Sequence, residues 1–231
     1  MKIMNYDNVP NSDEVLILGG GPSIYMNRKW IKKYAKKPHV TVLSAHYEHA
    51  PTDYIYFNSM RHLAQEINNF KSKHIVAPVQ MKDHIKKQEW SKGKSFIYVD
   101  FEDAKPEVTH AYQGIDEIIV DDNGHVHHDI VNAGFTALLT SMFFRPKKIT
   151  MIGFDGNVKN ENGEYIYYMR WNQEVRILPP VDEETSKEKA REERYWKMLV
   201  ELVQSKGIEI STMRTDLMRN VGRQEMGIKI L

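Results

Sequence analysis

The 231-residue chain contains no cysteine. That absence excludes disulfides, thiolate nucleophiles and Cys-based zinc sites, and it leaves the redox compartment open. No run of eighteen apolar residues occurs, so no membrane-spanning helix is expected. The opening residues Met1-Lys2-Ile3-Met4-Asn5-Tyr6-Asp7 lack the apolar core of a signal peptide. Together these point to a cytoplasmic protein. Charge of one sign is also lacking: 32 Lys and Arg stand against 31 Asp and Glu, a formal net charge of +1. No global field therefore favours nucleic acid or membrane. Histidine is missing from the second part of the chain, since all ten lie at or before His128. Neither an internal repeat nor a low-complexity linker is present.

What is there begins with Val15-Leu16-Ile17-Leu18-Gly19-Gly20-Gly21-Pro22-Ser23. Four apolar residues suit a buried strand of a parallel sheet. The three glycines let the backbone take positive φ and approach a ligand closely. Pro22 suits the first turn of a following helix, and Ser23 adds a hydroxyl. A helix N-terminus attracts anions, which makes a phosphate the natural guest. The motif is neither G-x-G-x-x-G, because Ile24 takes the third glycine's place, nor a Walker loop, because no Gly-Lys-Ser/Thr follows. Taken alone, it is equally a tight structural turn.

A helix is expected from Ile24 to Lys37, with Arg28, Lys29, Lys32, Lys33, Lys36 and Lys37 along it. Such a run is usually a solvated face. Strands follow at residues 39–43, 53–57, 74–78 and 95–99, with a helix over 60–70. His46 and Asn58 come just after the first two of these strands. The β–α alternation predicts an α/β fold, a Rossmann-like, doubly wound and mostly parallel sheet with helices on both faces. Its ligands would sit at the strand C-termini. The length suits a single nucleotide-binding domain, 1–231, with a lid at 156–185.

Residues 117–128 read as a hairpin around Asn123-Gly124. Its His125, His127 and His128 invite a metal, but no carboxylate or cysteine spacing completes a site. Asn132-Ala133-Gly134 leads into a small-residue, buried helix, with Asn132 as N-cap. Lys148 to Ile152 is another buried strand, running into Gly153-Phe154-Asp155. A carboxylate at that end, Asp155, is placed to hold a ribose, a metal or a substrate hydroxyl. Tyr165, Tyr167 and Tyr168 follow a polar turn and form either a flap or a sheet edge. A charged helix runs from Asp182 to Gln204, burying Trp196, Leu199, Val200 and Leu202. A strand follows at 208–211, and the apolar residues of the tail offer a surface for a homo-oligomer.

The strand–Gly19-Gly20-Gly21-Pro22-Ser23 loop and the later Asn132-Ala133-Gly134 helix with its Gly153-Phe154-Asp155 strand end form an ordered pair. The pair resembles a superfamily that contains the bacterial CMP-sialic-acid-dependent sialyltransferases, the motility-accessory glycosyltransferases and the archaeal 6-hydroxymethylpterin diphosphokinases. The resemblance covers roughly residues 14–156. It implies that Gly19, Gly20, Gly21, Pro22 and Ser23 line the nucleotide phosphate and ribose. It further implies that Asn58 contacts the nucleotide, that Asn132, Ala133 and Gly134 pass close to phosphate or sugar, and that Asp155 holds the nucleoside side. The tyrosines would be lid aromatics, and in a glycosyl transfer backbone N–H groups and a hydroxyl such as that of Tyr165 or Tyr168 would stabilise the leaving group. Two positions depart from the pattern: Gly20 and His46 each stand near a family asparagine. A third departure is larger. The sialyltransferases use a lid histidine as general base, and no histidine follows Asp155 here. Asp155, Asp182, Glu183, Glu184 or a hairpin histidine remain for that role.

The resemblance thus implies a glycosyltransferase acting from a nucleotide-activated, CMP-linked or other, sugar donor onto a glycan or other hydroxyl acceptor. The alternatives are an ATP- and Mg²⁺-dependent diphosphokinase, with Asp155 and Asp121 or Asp122 on the metal, and a non-catalytic nucleotide-binding protein. Mg²⁺ is called for only by the diphosphokinase, and no metal site is assigned. A nucleic-acid acceptor tracked by the lysine-rich helix is disfavoured by the neutral net charge.

Overall fold

In the computed structural model, the described residues are 2–4, 8–21, 23–72, 74–99, 119–120, 126–127, 133–154, 158–159, 165–169, 174–177, 196–197, 199–213 and 229–231. They build a sheet of nine strands. In chain order these are β1 (Lys2–Met4), β2 (Glu14–Leu18), β3 (Val40–Ala45), β4 (Tyr54–Tyr56), β5 (His74–Pro78), β6 (Phe96–Val99), β9 (Lys148–Ile152), β13 (Glu209–Thr212) and β14 (Lys229–Ile230). The spatial order is β1-β6-β5-β4-β3-β2-β9-β13-β14. Every adjacent pair is parallel. A separate antiparallel pair joins β7 (Ile119–Val120) to β8 (Val126–His127), which places the expected hairpin. A three-stranded antiparallel sheet, β10 (Val158–Lys159), β11 (Tyr165–Met169) and β12 (Glu174–Ile177), lies within the segment expected to form a lid.

The central strands show why the sheet is covered on both sides. Val15, Leu16, Ile17 and Leu18 are all fully buried. Successive side chains of a strand point to opposite faces, so an unbroken apolar run needs a layer above and a layer below. Val15 and Ile17 pack with Ala137, Leu138 and Val200. Leu16 and Leu18 pack with Ile24, Ile31 and Tyr34. The first layer is α5 (Ala133–Met142) with the helical run 199–205, and the second includes α1 (Ser23–Met26) and α2 (Arg28–Tyr34). On that second side, α3 (Met60–Glu66) and α4 (Lys82–Lys86) cover β4 to β6 through Leu63 and Ile85. The fold is α/β and Rossmann-like, as expected.

Several boundaries differ from the sequence expectation, each for a local reason. The helix expected from Ile24 to Lys37 is two helices, broken at Asn27. The Asn27 backbone N–H and side-chain amide both donate to the Ser23 carbonyl, at 3.0 and 2.9 Å, so a side chain competes with the helical ladder. α3 ends at Glu66 rather than at 70. Its start is fixed by Ser59, whose hydroxyl accepts the His62 N–H at 3.4 Å. Strands β1 and β14 were not foreseen; both are too short to carry a pattern.

The N-terminal edge of the sheet is tied by ions. Glu14 and Lys148 are register partners on β2 and β9, and their side chains pair at 2.9 Å. The Tyr34 hydroxyl donates to the other oxygen of Glu14, and Lys148 Nζ donates to that hydroxyl at 3.4 Å. Burial opposes the charge on Glu14, but the bonds from Tyr34 and Lys148 outweigh it and hold its pKa below the ordinary value.

Candidate functional site at the topological switch

From β2 the sheet grows one way through β3 to β6. The chain then crosses back to place β9 on the opposite flank of β2. In open parallel sheets the crevice beyond the strand C-termini at such a reversal is where ligands bind. The C-termini of β2, β3, β4 and β9 carry Gly19, His46, Asn58 and Gly153 to that one edge.

The glycine loop is welded to the end of β9. The Gly19 N–H donates to the Ile152 carbonyl at 2.7 Å, and the Gly21 N–H to the Gly153 carbonyl at 2.9 Å. The Ser23 hydroxyl, almost wholly buried, accepts the Gly153 N–H at 2.8 Å. This corrects the sequence account of the glycines. Positive φ falls at Gly153 (φ 84°), not at Gly19 or Gly20. Gly19 is needed for space instead, because a Cβ there would lie 2.5 Å from the Gly153 oxygen and 3.2 Å from the Phe154 ring. Gly20 is exposed, and a Cβ on it would meet nothing nearer than Tyr47 Cε2 at 4.0 Å. The N–H groups of Gly19 and Gly21 are thus engaged with β9, and Gly20 is the loop residue that faces solvent.

Beside the loop, His46 directly follows β3 and holds φ at 64°. Non-glycine residues adopt that conformation seldom, asparagine, aspartate and histidine more often than the rest. The His46 ring lies against Phe57 with 5.6 Å between centroids and against His62 at 4.7 Å. Its Nε2 is 2.6 Å from Asn58 Oδ1, so the ring N–H donates to the amide oxygen. Burial among these rings, with His62 adding to it, depresses the His46 pKa to about 3, against the opposing pull of Asn58. The ring keeps a little exposed surface, but its packing on three sides makes the neutral imidazole the working state. Asn58 is 6% exposed and comes two residues after the end of β4.

On the other side of the loop, α5 begins at Ala133 and Gly134. Phe135 packs on Trp196 at 5.4 Å, and Trp196 on Phe154 at 6.1 Å, which ties the start of α5 to the end of β9. The structure therefore brings Gly19, Gly20, Gly21, Ser23, His46, Asn58, Ala133 and Gly134 to one sheet edge. Pro22, Asn132, Asp155 and Asp182 lie outside the described residues, as do Asp121, Asp122, His125 and His128. Tyr168 lies on β11, where strand pairing is described and its side chain is not. Tyr47, His62 and Trp196 are neighbours of the site that the sequence does not single out for it, and Gly153, part of the Gly153-Phe154-Asp155 motif, touches the glycine loop directly. A signal existed for that contact, since a strand that runs into glycine opposite a glycine loop implies a close crossing. Among the described residues no group of three or more histidines and carboxylates is arranged to hold a metal ion. Among them, too, no helix is long and apolar enough to cross a membrane.

No family model and no curated protein sequence matches the chain. Among solved structures, the fold is similar to that of a MAf glycosyltransferase from Magnetospirillum magneticum AMB-1, with a TM-score of 0.52 over 91% of this chain. The identity is 10%, and the chain spans 33% of that protein's length. At that identity the likeness is one of fold.

Proposed function

We propose that this chain is a glycosyltransferase domain that binds a nucleotide-activated sugar at the switch-point edge. The observation that carries the reading is the convergence of the Gly19–Ser23 loop, the His46–Asn58 pair and the N-terminus of α5 around the end of β9. The similar fold of a MAf glycosyltransferase supports it. In this reading, Gly20 and the start of α5 face the donor phosphate with backbone N–H groups, and Asn58 and His46 face the nucleoside. Transfer forms a bond from the acceptor oxygen to the anomeric carbon and breaks the bond from that carbon to the phosphate oxygen. The acceptor proton passes to a carboxylate, Asp155 or Asp182, in place of a lid histidine. The charge that develops on the leaving phosphate is met by backbone N–H groups and by the Tyr168 hydroxyl. A neutral His46 adds no positive charge there and acts by hydrogen bonding alone.

Thermal-shift titration with CMP, CDP, UDP, GDP and ATP, each with and without Mg²⁺, tests the site, because a ligand that binds only the folded state raises the melting temperature. A shift with one nucleotide family, followed by slow hydrolysis of the matching nucleotide sugar, is the expected result. A shift with ATP alone that requires Mg²⁺ replaces the reading with the diphosphokinase. No shift with any of them overturns the nucleotide site.

A further inference from the structure

No Asp or Glu occurs between Glu14 and Glu48, yet that interval holds Arg28, Lys29, Lys32, Lys33, Lys36 and Lys37. All six are exposed. Helix α2 buries Ile31 and Tyr34, and its i, i+4 neighbours 28/32 and 29/33 stack cations on the outward side. Lys37 is engaged with the Tyr34 ring at 4.0 Å and Arg28 with the Tyr25 ring at 5.0 Å. Lys29, Lys32, Lys33 and Lys36 form no ion pair with any described residue. At the rim of this face, Tyr25 is 42% exposed and Met26 49%. They are two of the three large hydrophobics exposed among the described residues.

A solvated lysine helix accounts for the charge but not for two adjacent exposed apolar side chains beside it. A nucleic-acid backbone meets the charge and could stack on Tyr25, but it leaves Met26 without a role, and a convex helix offers no groove to follow a strand. An anionic bilayer surface meets each feature. Its headgroups neutralise a cluster of Lys and Arg, and its interfacial layer takes up a tyrosine and a thioether to shallow depth. We infer that the face built by α1 and α2 docks this chain on an anionic lipid surface. Because α1 starts at Ser23, directly after the glycine loop, docking holds the switch-point edge close to the headgroup plane. The inference stands on the surface alone, whether or not the edge transfers a sugar.

Co-sedimentation of the full chain tests it, with vesicles of phosphatidylcholine alone and with about one-third phosphatidylglycerol. Binding is expected only to the anionic vesicles, and it weakens as salt shortens the screening length. Lys29→Gln, Lys32→Gln, Lys33→Gln and Lys36→Gln combined remove four charges. At about fivefold per cation near the surface, affinity falls by roughly several hundred-fold. Tyr25→Ser with Met26→Ser weakens binding and leaves its salt dependence intact. Every replaced side chain is exposed, so an unchanged melting temperature confirms that each variant folds. No binding to anionic vesicles at low salt, or binding that the four-lysine variant retains, overturns the inference. So does tighter binding to a DNA duplex than to vesicles, with no loss in the Tyr25/Met26 variant.

Discussion

Gly19 and Gly153 face each other across the ends of β2 and β9 with no space for a methyl group on either. A Cβ on Gly19 would lie 2.5 Å from the Gly153 oxygen, and one on Gly153 would lie 2.8 Å from the Gly19 carbonyl carbon. Backbone atoms stand in the way in both directions, and backbone does not yield as the tip of a side chain does.

Gly19→Ala is therefore expected to destabilise the fold by about 3 kcal/mol or more, as overpacking against backbone does. Gly153→Ala adds the strain of positive φ and is at least as damaging. Gly20→Ala, one residue away, changes stability by less than about 0.5 kcal/mol, because its Cβ meets only ordinary contact. Urea denaturation of the three variants checks the order. Equal losses at Gly19 and Gly20 would show that the crossing is not the constraint.

Ser23→Ala takes away the acceptor of the Gly153 N–H. The expected loss is about 1–2 kcal/mol, the cost of leaving a buried donor without a partner. Nucleotide affinity, measured under conditions where both proteins are fully folded, separates this strut from any contact the hydroxyl makes with a ligand.

His46 makes stability depend on acid. Its folded pKa is lowered from 6.5 to about 3. Between those values the unfolded chain binds a proton that the folded one does not, so stability rises with pH across that window and declines as pH falls below 6.5. His46→Asn removes the titrating ring and keeps a residue at ease with positive φ. Stability curves at pH 7 and pH 5 should lie closer together in the variant than in the parent. A pH dependence left unchanged would show that the ring is not held neutral.

Glu14 acts in a lower window. Its pKa is depressed below 4.5, so its contribution is complete above that value and is lost as pH falls through the lower, folded one. Glu14→Gln leaves the partly buried Lys148 without its anion and is expected to cost about 2 kcal/mol at neutral pH, and less in acid. Lys148→Gln removes the nearest cation and leaves Glu14 with the Tyr34 hydroxyl and with His39 at 3.8 Å, and should shift the acid limb to higher pH.

Much of the sheet was legible because its strands are buried on both faces. Runs such as Val15–Leu18 and Ile149–Ile152 admit few other readings, and His74–Pro78 was placed to the residue. The break at Asn27 was not legible, since it depends on a side-chain amide choosing the Ser23 carbonyl over water. The sequence suggests conformational freedom at Gly19 where the structure requires clearance, because a sequence does not reveal what lies 2.5 Å away, just past the end of a strand and 134 residues further along. His46 and Asn58 were placed by their strand ends and by resemblance. Their mutual bond follows from β3 and β4 being register neighbours, with Ala45 opposite Tyr56.

The outermost strands, β1 and β14, span three and two residues. A row of exposed backbone groups is what lets one sheet recruit another, and rows this short present few rungs to pair with. Joining copies edge to edge into a continuous ribbon is thereby discouraged. Among the described residues, an assembly built on the nine-stranded sheet should form through the helices that cover it, and solution scattering would then report side-by-side packing rather than elongated stacks.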